Sequence, residues 1–185
     1  MVKYSADSEL PEGRVPSKPS ATLFWAIPSL NVALDQLMRR WGASVALSGP
    51  QCKILLAISD LDTGGGVPVK DISRLLQVDG SFVSSQATAM TRDGWIARMS
   101  SQTDARVVLL SLGEAAGERL KPILDQRGRL AGVFYREISP EPLAAVLQPI
   151  SRMRAATVAM SRRIDAERDM VPFARSPSID SKING

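Results

Sequence analysis

In the segment from residue 22 to residue 41, apolar side chains recur at Leu23, Ile27, Leu30, Leu34, Leu37 and Trp41. Spacings that alternate between four and three put them on one helical stripe, in the manner of a coiled-coil seam. Pro28 lies within the stripe and predicts a kink or a restart. A second helix, from Ser48 or Pro50 in "LSGPQCKILLAISDL", turns Ile54, Leu55 and Ile58 inward. "DTGGGV" is a turn. "PVKDISRLL" is a short helix with Pro68 at its start, where a missing N–H costs nothing. "VDG" breaks it. "SFVSSQATAMTRDG" is a third short helix, with Val83, Ala87 and Met90 on its inner stripe and Gly94 as its stop.

The pattern then changes to strands, one near Trp95 to Met99 and another near Arg106 to Leu110. The turn between them carries no Asn-Gly or Asp-Gly signal. It is polar, with an acid and a base, Asp104 and Arg106, at its tip. The last third is helical again. "EAAGERLKPILDQRGRLAGVFYREI" spaces Leu120, Ile123, Leu130 and Phe134 at near-helical intervals around Pro122. "SPEPLAAVLQPISRMRAATVAMSRRI" offers Ser139 as N-cap and Pro140 at the first helical position. Its stripe, Leu143, Val146, Ile150, Met153, Thr157, Met160 and Ile164, is heptad-like, and Pro149 should bend it.

The fold class is therefore mainly α with a small β-hairpin. The expected division is a disordered arm over 1–20, a dimerisation helix over 21–47, a helix-helix-helix-hairpin lobe over 48–112, dimerisation helices over 113–166, and a flexible tail over 167–185. Both ends are rich in proline and small polar residues, which cannot bury enough apolar surface to order themselves. Two end segments with coiled-coil stripes need a partner surface. A second copy of the chain supplies one, giving a homodimer; an intramolecular helical layer is the alternative.

Composition narrows the chemistry. The chain has 185 residues, with 23 basic and 19 acidic side chains. The net charge of +4 is uneven: zero over 1–67, +1 over 68–112 and +3 over 113–185. Such mild basicity is compatible with a polyanionic partner and equally with a solvated surface. There is no histidine, so the usual general base near neutral pH and the commonest metal ligand are missing. No paired carboxylates or metal-ligand cluster stand out, which argues against an enzyme and calls for no cofactor or metal. Gly64 to Gly66 followed by Lys70 lack the Gly-Lys-Ser/Thr ending of a phosphate loop. The single cysteine, Cys52, fits a reducing compartment. With no long apolar run for a membrane span and no signal-peptide core, the expected location is the cytoplasm.

The segment from Pro68 to Gly94 fits a helix-turn-helix, whose second helix would enter the major groove of double-stranded DNA. A hairpin directly after it makes the unit a winged helix. Here the sequence resembles the MarR (multiple antibiotic resistance regulator) family of transcription factors. The residues that carry the resemblance are "LSGPQCKILLAI", "VKDISRLLQVDGSFVSSQATAMTRDGWIAR", "TDARVVLL" and "ISPEPLAAVLQPI", spread over roughly 23–164. It departs from the family at Ala105, where a basic residue is common, at Ser73, where alanine is usual, and in "LSLGEAAGERL", a loose match to the usual end of the second strand.

The resemblance implies a dimeric regulator, by family default a repressor, released from a pseudo-palindromic operator by a small effector. The DNA-contacting candidates are Ser81, Ser84, Ser85, Gln86 and Thr88 on the recognition helix, with Arg92, Arg98, Lys70 and Arg74 nearby and Asp104 and Arg106 at the wing tip. The helix face is mainly hydroxyls, which discriminate bases weakly; Gln86 alone suits bidentate contact with adenine. Arg106 is expected to enter the minor groove, with Asp104 holding its guanidinium or an adjacent cation. Trp25, Met38, Arg39, Arg40, Trp41 and Cys52 are the candidates for an effector pocket suited to an aromatic carboxylate or its thioester; plain core is the other reading. Because the recognition face is poor in cations, a winged-helix protein–protein module without DNA binding remains the alternative function.

Overall fold

A computed structural model of the chain describes residues 16–138 and 143–170. Its elements are α1 (Pro19–Ser44), α2 (Gly49–Leu61), β1 (Val67–Pro68), α3 (Val69–Leu76), α4 (Gly80–Arg92), β2 (Ile96–Ser100), β3 (Val108–Leu112), α5 (Ala116–Ile138) and α6 (Leu143–Met170). The chain divides into two compact units, Met1–Gln126 and Arg127–Gly185.

The first unit is built around α2. Ser48 caps this helix reciprocally: its hydroxyl accepts from the Gln51 backbone N–H, and its own N–H donates to the Gln51 side chain. Two orphan donors are satisfied at once, which fixes where the helix starts. Cys52, Ile54, Leu55 and Ile58 are then fully buried, together with Ile72 of α3, Val83, Ala87 and Met90 of α4, Leu110 of β3, and Leu120 and Ile123 of α5. At about 25 cal/mol per Å² of buried apolar surface, these contacts dominate the stability of the unit. Trp41 closes one side of the core and donates its indole N–H to the Gln126 side chain at 2.8 Å. Asp35 and Lys53 pair across α1 and α2.

The hairpin is antiparallel, in the register Ile96↔Leu112 to Ser100↔Val108. The second strand begins at Val108, two residues later than the sequence pattern suggests, because residues up to Val107 belong to the turn. A third strand, β1, pairs with β3 at Val67↔Leu110 and Pro68↔Leu109, giving the order β1-β3-β2. Pro68 thus sits on an edge strand and precedes α3 as its N-cap, instead of occupying the first helical position. A two-residue strand has no periodicity to read, and an edge is where a strand proline is tolerated.

Helix ends also differ from expectation. α1 begins at Pro19, inside the segment expected to be an unstructured arm, and continues through Pro28 as one helix. α6 runs to Met170, past the expected start of the tail at residue 167. The expected arm before residue 16, the expected cap at Ser139 and Pro140, and the tail after residue 170 lie outside the described residues.

In the first unit, Leu23, Phe24, Trp25, Ile27, Leu30 and Val32 of α1 are exposed. In the second unit, Phe134 of α5 is 41% exposed, so the expected inward stripe of that helix stops short of it. On α6, Leu147, Ile150, Val158, Met160 and Ile164 are exposed as well.

Candidate nucleic-acid interface

Helices α3 and α4 are joined by a turn that starts at Gln77, in the left-handed conformation with φ of 55°. The Gln77 side chain donates back to the Arg74 carbonyl, holding the turn closed. On α3, Lys70 is exposed, and the Arg74 guanidinium pairs with Asp71 at 3.0 Å. Both groups are open to solvent, so this pair is worth little to stability. Ser73 donates its hydroxyl to the Lys70 carbonyl at 2.9 Å.

On α4, Val83, Ala87 and Met90 bury one face. The opposite face exposes Ser81, Phe82, Ser85, Thr88 and, in the last turn, Arg92. Ser84 and Gln86 are half-buried at the flanks. Thr88 donates its hydroxyl to the Ser84 carbonyl at 2.9 Å. The same oxygen accepts from the Arg98 guanidinium at 2.7 Å. Arg98 belongs to β2, so the hairpin lends a cation to a helix that has none before its last turn. Sequence spacing gave no sign of this transfer, because the two residues lie on different elements.

At the tip of the wing, the Asp104 carboxylate accepts from the backbone N–H of Arg106 at 2.9 Å. This Asx turn corrects the expected role of Asp104. The carboxylate shapes the backbone rather than holding the Arg106 guanidinium. The Asp104 carbonyl also accepts from Val107 N–H at 2.9 Å, and the Val107 carbonyl accepts from Ser101 N–H at 2.9 Å. Ser101 and Thr103 add a hydroxyl contact of 2.9 Å. An exposed loop of polar residues is thereby given a defined shape, with the Arg106 side chain projecting from it.

Helix α3, the flank of α4 and the wing together form an open cleft of about 580 Å³, lined by Lys70, Arg74, Ser84 and Arg106 among others. Three separate stretches of sequence converge there. Asp71 also lines the cleft, but Arg74 already engages it.

The effector candidates do not converge in the same way. Met38 and Arg39 line a smaller cleft of about 360 Å³ between α1 and the start of α2, with Asp35 and Lys53. Arg40 is exposed on α1. Trp25 is 60% exposed, near the other end of α1. Trp41 and Cys52 are buried in the core of the first unit and do not line this cleft. Burial pushes the Cys52 thiol up to about 11. Neutral and enclosed, it lacks the thiolate character that redox-sensing cysteines need.

Two further features bear on the site. The Arg119 guanidinium of α5 lies 3.5 Å from the centre of the Trp95 ring, stacking the start of that helix on the base of the hairpin. Gly113 brings the end of β3 against the chain leaving α4: its N–H donates to the Trp95 carbonyl at 2.9 Å, and a Cβ there would lie 2.2 Å from the Gly94 oxygen. Gly94 itself has φ of +72°, which favours glycine.

These elements constitute a winged helix-turn-helix. Residues 47–107 match the model of the MarR family. Among solved structures, the MarR protein from Peptoclostridium difficile superposes with a TM-score of 0.63 at 14% identity, covering 82% of this chain and 97% of its own. AbsC, a MarR family transcriptional regulator from Streptomyces coelicolor, gives 0.60 at 18% identity over 75% of this chain and 97% of its own. The MepR–DNA complex of S. aureus gives 0.59 at 15% identity, over 72% and 96%. Comparison with curated proteins returned no match.

Proposed function

We propose that the protein is a dimeric DNA-binding transcriptional regulator, a repressor that leaves a pseudo-palindromic operator when a small effector binds. The observation that carries this reading is the cleft where Lys70 and Arg74 of α3, Ser84 of α4 and Arg106 of the wing converge. Cations flanking a recognition helix are what a duplex requires on either side of its groove: they fix the register on phosphates while the helix reads bases. The MarR-type fold supports the reading, and the MepR structure is a complex with DNA. Arg98, bonded to Thr88, supports it further by answering the main argument for a protein–protein module, a recognition helix without charge.

The effector reading is carried by the cleft at Met38 and Arg39, beside Lys53. With Lys53 engaged by Asp35, an apolar wall beside the Arg39 guanidinium suits a small aromatic carboxylate. The protein acts in the cytoplasm, where DNA is accessible, and no helix among the described residues is long and apolar enough to cross a membrane.

The test is fluorescence anisotropy of labelled genomic fragments from the neighbourhood of the gene, over a range of salt. Specific binding that weakens linearly in log–log form as salt rises is the expected outcome. No fragment preferred over bulk DNA at any salt overturns the reading and favours the protein–protein module.

A further inference from the structure

The outward face of α4 carries a residue that a hydroxyl-rich helix does not need. Phe82 is 40% exposed, between Ser81 and Ser85 on the solvent side. Its position is not a packing position: Val83, Ala87 and Met90 already form the buried stripe of α4 and are fully enclosed. Phe82 also lies within the first turn of α4, and in a helix-turn-helix the N-terminal residues of the second helix are those that meet base edges. Ser81, Ser85 and Thr88 form a row at helical spacing, and Phe82 stands beside that row near the start of the helix, one turn before Gln86.

We propose that Phe82 is a specificity-determining residue that reads the C5-methyl group of thymine in the major groove. The proposal rests on the DNA-binding reading above. Thymine alone among the four bases presents a methyl there, and apolar side chains, phenylalanine included, contact it. The surrounding hydroxyls tolerate many bases, so one apolar contact at the leading end sets a preference that they leave open. Leu75 of α3 and Val78 of the turn before α4 are exposed too, so Phe82 is not the sole apolar side chain that the helix-turn-helix leaves open to solvent.

The test uses the full chain and the tightest duplex it selects from a randomised pool. Each thymine of that duplex is replaced in turn by deoxyuridine, which removes the methyl and keeps every hydrogen-bonding group. Removal of one buried methyl should weaken binding about fourfold. The expected result is such a loss at one thymine, or at its symmetric pair, for the parent protein, and none at that position for Phe82→Ala. Phe82→Leu, which keeps an apolar contact, should keep part of the discrimination. Deoxyuridine tolerated at every position by the parent overturns the role of Phe82 while leaving DNA binding intact. A loss that persists undiminished in Phe82→Ala assigns the methyl to another side chain and overturns it as well. Failure to select any duplex overturns both this proposal and the DNA-binding reading.

Discussion

Asp104 and Arg106 divide one task between backbone and side chain. The carboxylate holds the turn by accepting from the Arg106 N–H at 2.9 Å, and that leaves the guanidinium to reach outward. Narrow A·T-rich minor grooves concentrate negative potential and attract such an arginine. Arg106→Ala should therefore weaken operator binding by about 1–3 kcal/mol, while melting at the temperature of the parent, because the residue is exposed. The backbone role of Asp104 gives a sharper expectation. Asn at this position keeps an oxygen that can accept the same bond, so Asp104→Asn should bind nearly as well as the parent, whereas Asp104→Ala should lose affinity. Anisotropy with one operator duplex at fixed salt compares all four proteins. Equal losses for Asn and Ala would mean that the charge of Asp104 matters, not its turn. The thiol of Cys52 makes a second prediction at this scale. It should resist thiol reagents near pH 8 in the folded protein and react promptly in denaturant. Its folded value, about 11, lies above the ordinary thiol value of 9.0 because burial disfavours the thiolate. The contribution to stability is thus present below about pH 9 and is lost as pH rises towards 11. Rapid labelling of the folded protein at pH 8 would place the thiol at the surface instead.

At the scale of elements, the order helix, helix, helix, hairpin was legible because each piece has its own period and stop. Val83, Ala87 and Met90 announced the inner face of α4, and all three are buried. The outer face was legible only in part. Ser81, Ser85 and Thr88 are exposed as their spacing requires, but Ser84 and Gln86 turn towards the flanks, and Phe82 passed unnoticed because an aromatic residue in a helix usually reads as core. Contacts between elements were beyond reach of periodicity: the bond of Arg98 to Thr88, the stacking of Arg119 on Trp95, and the pairing of β1 with β3. The close approach at Gly113 is another such contact, and it can be tested. A methyl group there would lie 2.2 Å from the Gly94 oxygen, a backbone atom that cannot swing aside. Gly113→Ala should lower the unfolding free energy by about 1–3 kcal/mol, as overpacking does. Gly128, on α5, has nothing within 4 Å of its added Cβ. Gly128→Ala should instead stabilise by about 0.5–1 kcal/mol, through helix propensity. Urea denaturation of both variants measures the contrast, and a neutral Gly113→Ala would show that the strand end yields.

At the scale of the whole molecule, the apolar side chains exposed on α1 and on α6 call for a covering surface. Leu30 of α1 is 56% exposed, with Leu23, Phe24, Trp25, Ile27 and Val32 on the same helix. Met160 of α6 is 56% exposed, with Leu147, Ile150, Val158 and Ile164. Large contiguous apolar patches are uncommon on soluble monomers and mark interaction surfaces. A two-fold interface uses the same patch on both subunits, so one sequence suffices to cover both. Dimerisation also serves DNA reading, since it sets two recognition helices about one turn of the duplex apart, roughly 34 Å. We expect the chain of 20.0 kDa to sediment at about twice that mass at micromolar concentration. Leu30→Glu should shift it to monomer, since a charge buried in an apolar interface has no partner there. The same variant should lose most of its operator affinity while keeping weak, salt-sensitive binding to any duplex, because each lobe retains Lys70, Arg74 and Arg106. That combination separates an interface role from a folding defect, which would abolish both kinds of binding. A parent protein that sediments as a monomer at every concentration tested would overturn the dimer. It would also leave the operator without its two-fold symmetry.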